Sequence, residues 1–126
     1  MLEDDSDDRS ITESTISELQ LPINLHFFSN SSHFLSFLQA APKASIILLD
    51  YNSHPDNGLQ VLKNIKGYEV HKSTPVIILS DNSLPHYKDE CYAHGASSFI
   101  QKPALTGRSK EMIEKFFSYW FNIVQV

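Results

Sequence analysis

The stretch Ser45-Ile46-Ile47-Leu48-Leu49-Asp50 is a short apolar run that ends abruptly at a carboxylate. A run of this length predicts a buried strand, Ser45 to Leu49, in a parallel sheet. Ligands of such sheets bind at the carboxyl ends of the strands, so Asp50 lies where chemistry is expected. An isolated aspartate at that position is more often a helix cap or a turn residue. Other residues of the chain are therefore needed to distinguish a chemical role from these structural ones.

Two later runs have the same form. Val76-Ile77-Ile78-Leu79 closes on Ser80, which predicts a strand from Pro75 to Leu79, and the strand predicted from Ser97 to Gln101 leads to Lys102. An acidic cluster, Glu3-Asp4-Asp5, stands at the start of the chain. Because parallel strands present their carboxyl ends at one edge of the sheet, these polar groups should converge.

The segments between the runs are typical of helices, which predicts a doubly wound α/β fold. The pattern indicates a strand from Ile23 to Phe28 and helices over about 7–20, 58–67, 84–95 and 105–121. A further helix is predicted between possible N-caps at 29–31 and Pro42. We therefore predict a (βα)5 flavodoxin-like fold with a five-stranded parallel sheet of order 2-1-3-4-5. Only Met1 and Leu2 precede the acidic cluster, so either the first strand is unusually short or the chain begins downstream of its natural start.

Composition narrows the function classes. The 126 residues fit one domain, residues 1–126, with no room for an output domain. A formal net charge of −5 and the lack of a basic stripe argue against nucleic-acid binding. No apolar run approaches 18 residues and no signal peptide is present, which argues against a membrane segment. The single cysteine, Cys91, excludes an internal disulfide and predicts a cytoplasmic protein.

The convergent groups point to a metal and phosphoryl site. Glu3, Asp4 and Asp50 would repel one another unless a cation neutralised them, and an all-oxygen site favours Mg²⁺ or Mn²⁺. Lys102 supplies a point charge for a phosphoryl oxygen, and Ser80 supplies a hydroxyl donor. Positioning and charge neutralisation of this kind are what phosphoryl transfer requires.

These residues, in this order, resemble the receiver domains of two-component response regulators. Ser80 follows Asp50 by 30 positions and Lys102 follows Ser80 by 22, within the pair Lys102-Pro103, and Gly58 stands eight after Asp50. The resemblance covers the whole chain and matches Asp50 to the phosphoacceptor, with Ser80 and Lys102 as its catalytic partners. Stand-alone receivers that partner phytochromes and other sensor kinases are the most similar, because of EDDSDDR (3–9), HGASSFIQKP (94–103) and FFSYWFNIV (116–124).

The resemblance implies a role and a ligand set. A histidine kinase or histidine phosphotransfer protein would phosphorylate Asp50, with Mg²⁺ held by Glu3, Asp4, Asp50 and the backbone carbonyl of Asn52. The domain would be a signalling switch with weak autodephosphorylation activity and not a metabolic enzyme. Phe99 would be the aromatic residue that moves upon activation, and the Lys102–Pro103 peptide bond would be cis.

Two other functions remain open. A metal-dependent phosphohydrolase would need a second carboxylate two residues after Asp50, where Asn52 stands instead. A pseudo-receiver, which binds partners without phosphorylation, is disfavoured by the intact Asp50 and Lys102, while Asp81 at the mouth of the site supports it.

The last predicted helix carries more apolar residues than one buried face requires. We expect Phe117, Trp120 and Phe121 to form an exposed surface for a homodimer or for a kinase.

Overall fold

The computed structural model describes residues 1–40, 44–81, 85–102 and 108–124. Three parallel strands form the centre of the fold: β1 (Ile47–Asp50), β2 (Val76–Ser80) and β3 (Ser98–Gln101). β2 lies between the other two, with Leu49 opposite Ile78 and Ile78 opposite Phe99.

The first two predicted strands are each reduced to one bridging residue, Leu2 and Phe28. Leu2 makes parallel bridges to both Leu49 and Phe28, so the predicted spatial order 2-1-3-4-5 is confirmed. The predicted strand Ile23 to Phe28, however, is irregular until its last residue, Phe28. Its backbone pairs with the three-residue segment Met1–Glu3, which offers too few backbone groups to pair a six-residue strand.

In the described ranges, five α-helices pack on the two faces of the sheet. They are α1 (Ser6–Glu18), α2 (Ser31–Ala40), α3 (Gly58–Gly67), α4 (Pro85–Ala93) and α5 (Arg108–Ser118), with a 3₁₀ turn at Glu69–His71 and a π-helical end at Tyr119–Ile123. α1 begins earlier than predicted, because the Asp5 carboxylate caps it by accepting from the backbone N–H groups of Asp7 and Asp8. The predicted start of the last helix, near Leu105, lies outside the described residues.

Alternation along β1 divides the core between the two faces of the sheet. Ile47 and Leu49 point toward α2, α3 and α4, whereas Leu48 points toward α1 and α5 together with Ile77. Phe117 of α5 is only 2% exposed and packs in this second layer. Its predicted place on an exposed interface is therefore wrong, because the sheet face under α5 needs a large ring to fill it.

No helix among the described residues is long and apolar enough to cross a membrane.

Candidate metal and phosphoryl site

Asp50 is the last residue of β1, and the backbone holds it on both sides. Its N–H donates to the carbonyl of Leu2 at 3.0 Å, and its Oδ1 accepts from the N–H of Asn52 at 3.0 Å. The side chain is nearly buried. A short turn after the strand therefore orients the carboxylate at the sheet edge.

The acidic cluster at the chain start lies beside Asp50. One carboxylate oxygen from each of Glu3, Asp4 and Asp50 lies within 4.8 Å of the others. Glu3 is fully buried, and its Oε1 accepts from the N–H of Asp5 at 3.1 Å. Burial raises the pKa of the Glu3 carboxyl to about 7, and the Asp50 charge adds to this rise, while the Lys102 ammonium opposes it.

Lys102 is the cation at the centre of this group. Its Nζ lies 2.7 Å from Glu3 Oε2, 3.3 Å from Asp8 Oδ2 and 3.4 Å from Asp50 Oδ2. Burial alone would lower the pKa of the Lys102 ammonium, but the surrounding carboxylates outweigh it and raise this pKa above its ordinary value. The ammonium therefore remains charged and partly neutralises the acidic group.

The backbone of β2 positions Lys102. The Lys102 N–H donates to the carbonyl of Ser80 at 2.7 Å. This bond lies one residue beyond the register pair Ser80–Gln101. Ser80 is buried at the end of β2, beside the end of β1. The ends of three neighbouring strands thus bring together Asp50, Ser80 and Lys102, as the sequence predicted.

The remaining predicted residues lie around this core. Asp4 and Asn52 are exposed at the rim, and Asn52 is joined to Asp50 by its backbone N–H. Asp81 is exposed after β2, and its carbonyl accepts from Gln101 Nε2 at 3.4 Å.

The residue predicted to move upon activation, Phe99, is half-buried, with its ring centroid 6.5 Å from that of Tyr51. Pro103 and its peptide bond lie outside the described residues.

Asp8 is the site residue that sequence reasoning missed. Its carboxylate pairs with Lys102 across a sequence separation of 94 residues. The available signal was its position in the first turn of the first helix, directly after the acidic cluster, but an acidic residue there is usually solvated.

The donor set fits a hard divalent cation. All three members of the acidic group offer carboxylate oxygens, the ligands that Mg²⁺ and Mn²⁺ prefer. The buried Oε2 of Glu3 makes no hydrogen bond of good geometry within the described part of the chain, although it is ion-paired with Lys102. A buried carboxylate oxygen without such a hydrogen bond is well suited to coordinate a metal ion.

Comparison with known proteins identifies the family. Residues 1–114 match the response regulator receiver domain. The chain belongs to this family. Receiver domains are the signalling modules of two-component systems, and the predicted resemblance is confirmed.

Individual relatives agree with this assignment. The two-component response regulator ARR17 of Arabidopsis thaliana is 38% identical over 61 residues, which cover 48% of this chain and 40% of that protein. The chain thus spans less than half the length of this relative. Among solved structures, the phosphorylated cyanobacterial phytochrome response regulator RcpA superposes with a TM-score of 0.91 at 20% identity, covering 98% and 93% of the two chains. The Mn²⁺-bound response regulator Rcp1 gives 0.91 at 21% identity, covering 99% and 94%. At these identities the two structural likenesses show the fold alone.

Proposed function

We propose that this receiver domain accepts a phosphoryl group on Asp50 from a histidine kinase or a histidine phosphotransfer protein. The observation that carries the proposal is the position of Lys102, whose ammonium lies 3.4 Å from Asp50 within a group of carboxylates at the sheet edge. This arrangement offers a nucleophile and a fixed positive charge at one point, and phosphoryl transfer needs little more from a protein than such positioning.

The transfer balances as a displacement at phosphorus. One oxygen of the Asp50 carboxylate attacks the phosphorus of a phosphohistidine, so that an O–P bond forms as the P–N bond breaks. The leaving imidazole nitrogen keeps the electron pair of that bond. The Asn52 N–H, which donates to Oδ1, orients the carboxylate so that the second oxygen is available.

Glu3, Asp4 and Asp50 would hold Mg²⁺ or Mn²⁺, with the backbone carbonyl of Asn52 as a further ligand. When bound, the cation would neutralise the negative charge that the phosphoryl group brings to the acidic edge. The Mn²⁺-bound state named for Rcp1 supports a divalent cation here. With a cation bound, Glu3 and Asp50 would attract the Lys102 ammonium less strongly. The ammonium could then bind a phosphoryl oxygen.

Lys102 and Ser80 would bind the phosphoryl oxygens and transmit the change. A phosphoryl group adds about −1.5 to −2 charge, enough to move an ammonium that is shared among carboxylates. Since the Lys102 N–H is bonded to the Ser80 carbonyl, a shift of one residue moves the other. We propose that this shift biases the ends of β2 and β3 between two conformations. We also propose that the phosphoryl group is lost by slow autodephosphorylation and that the protein acts in the cytoplasm.

Beryllium trifluoride, a mimic of the phosphoryl group, tests the acceptor. With Mg²⁺ present it should bind the wild-type protein at one equivalent, as measured by ¹⁹F NMR, and acetyl phosphate should add one phosphoryl group. Asp50→Asn should lose both, whereas the matched control Asp56→Asn, which changes a carboxylate in the same loop, should keep both. Binding to Asp50→Asn at wild-type stoichiometry would remove Asp50 as the acceptor. No binding to the wild type would favour the pseudo-receiver instead.

A further inference from the structure

The Asp8 carboxylate has a position that the metal and acceptor roles do not explain. It extends from the first turn of α1, and its Oδ2 lies 3.3 Å from Lys102 Nζ, with 26% of the side chain exposed. Only 12% of the Lys102 side chain is exposed, so this pair is shielded from water more than a surface ion pair is.

Asp8 also differs from the other partners of Lys102. Glu3 and Asp50 belong to the group of carboxylates that can hold a cation, but Asp8 does not. When Glu3 and Asp50 are turned toward a cation, Asp8 is the carboxylate that still attracts the Lys102 ammonium. It therefore competes with a phosphoryl group for the same positive charge.

We propose that Asp8 is a positioning residue that competes with the phosphoryl group for the Lys102 ammonium and so limits the stability of the phosphorylated state. The inference rests on the proposed function, in which Lys102 binds the phosphoryl group. By attracting the Lys102 ammonium, Asp8 favours the unphosphorylated, metal-binding form and shortens the lifetime of the phosphoryl group.

This role predicts opposite effects on two ligands. Without the Asp8 charge, Lys102 moves fully onto Glu3 and Asp50, where it opposes a divalent cation. The same change leaves the ammonium free for a phosphoryl oxygen once the cation is bound. Loss of the Asp8 charge should therefore weaken Mg²⁺ binding and strengthen the binding of beryllium trifluoride.

The experiment compares Asp8→Asn with Asp7→Asn. Asp7 lies in the same first turn and is exposed, so this control removes the same charge from the same helix end. Calorimetric titration with Mg²⁺ alone, and ¹⁹F NMR titration with beryllium trifluoride at saturating Mg²⁺, give the two affinities. We expect Asp8→Asn to lower the affinity for Mg²⁺ and to raise the affinity for beryllium trifluoride, by roughly three- to tenfold each. Asp7→Asn should change either affinity by less than about twofold.

A double-mutant cycle separates this mechanism from a simple charge effect. In a Lys102→Met background, the effect of Asp8→Asn on Mg²⁺ affinity should fall to that of Asp7→Asn, because no ammonium remains to be released. An unchanged effect in that background would overturn the proposal, as would equal effects of the two asparagine variants. Failure of the wild type to bind beryllium trifluoride would instead contradict the proposed function itself.

Discussion

At the scale of single residues, Glu3 is the most unusual group in the protein. It is a fully buried carboxyl whose main partner, Lys102, is shared with Asp8 and Asp50. Burial raises its pKa to about 7, so between about pH 4.5 and pH 7 the folded metal-free protein holds a proton on Glu3 that the unfolded chain has released. The stability that comes from this difference is fully present below pH 4.5 and is lost as the pH rises through 7.

Glu3→Gln should therefore remove a specific pH dependence. In the presence of EDTA, the unfolding free energy of the wild type should fall relative to that of the variant between pH 5 and pH 8, by up to about 3 kcal/mol. Urea unfolding at several pH values measures this. Saturating Mg²⁺ should reduce the difference, since a cation favours the charged carboxylate. Parallel pH profiles for the two proteins would show that Glu3 is ionised throughout.

At the scale of elements, the junction between the Asp50 turn and α3 supports the site. The Gly58 N–H donates to the Tyr51 carbonyl at 2.8 Å, and Asn57 and Gln60 form a reciprocal capping box at the helix start. A Cβ atom on Gly58 would lie 2.7 Å from the Cα of Tyr51, which is backbone and cannot move aside. Helix α3 can therefore approach the acceptor turn this closely only with glycine at its first position.

Gly58→Ala should both destabilise the fold and disturb the acceptor. We expect a loss of about 2 kcal/mol or more in unfolding free energy, together with weaker Mg²⁺ binding, because the change displaces the residue next to Asp50. Gly67→Ala, at the other end of α3, is the matched control: its Cβ would meet no atom within 4 Å, so stability should stay within about 1 kcal/mol. Equal urea midpoints for the two variants would disprove the close approach at Gly58.

At the scale of the whole molecule, α5 and its π-helical end present some apolar residues to the core and others to solvent. Phe117 fills the core under the sheet, with Trp120 and Phe121 packed partly against the same layer. The exposed apolar residues are instead Met112, Tyr119 and Ile123, the last of them 70% exposed. The surplus of apolar residues seen in the sequence is real, but it is presented by different side chains from those predicted.

We propose that this exposed surface supports a homodimer. Sedimentation at micromolar concentration should detect a dimer, which Ile123→Asn together with Tyr119→Ser should weaken by about tenfold or more, since buried apolar and aromatic residues dominate interface energies. Val70→Ser, which alters an exposed apolar residue in the 3₁₀ turn, should leave association unchanged. A wild-type protein that stays monomeric would contradict the dimer and leave the phosphoryl site unaffected.

Local sequence signals predicted the three central strands and the polar residues that follow them. Apolar runs that end at Asp50, at Ser80 and just before Lys102 are local signals, and the parallel arrangement brings such strand ends to one edge whatever the details of packing. Helix caps and the glycine at the start of α3 are equally local, because they depend on a few neighbouring residues.

Contacts between segments that are distant in the chain depend on how the elements pack, so local signals do not predict them. Asp8 meets Lys102 because the first turn of α1 lies beside the end of β3, and nothing in the first turn of a helix specifies a partner 94 residues away. Glu3 is buried, while Asp4 beside it is exposed, because the short first segment lies between Phe28 and β1. Phe117 turned inward because the rotation of α5 about its axis is set by the space it has to fill, and an apolar sequence supplies residues for that space on more than one side.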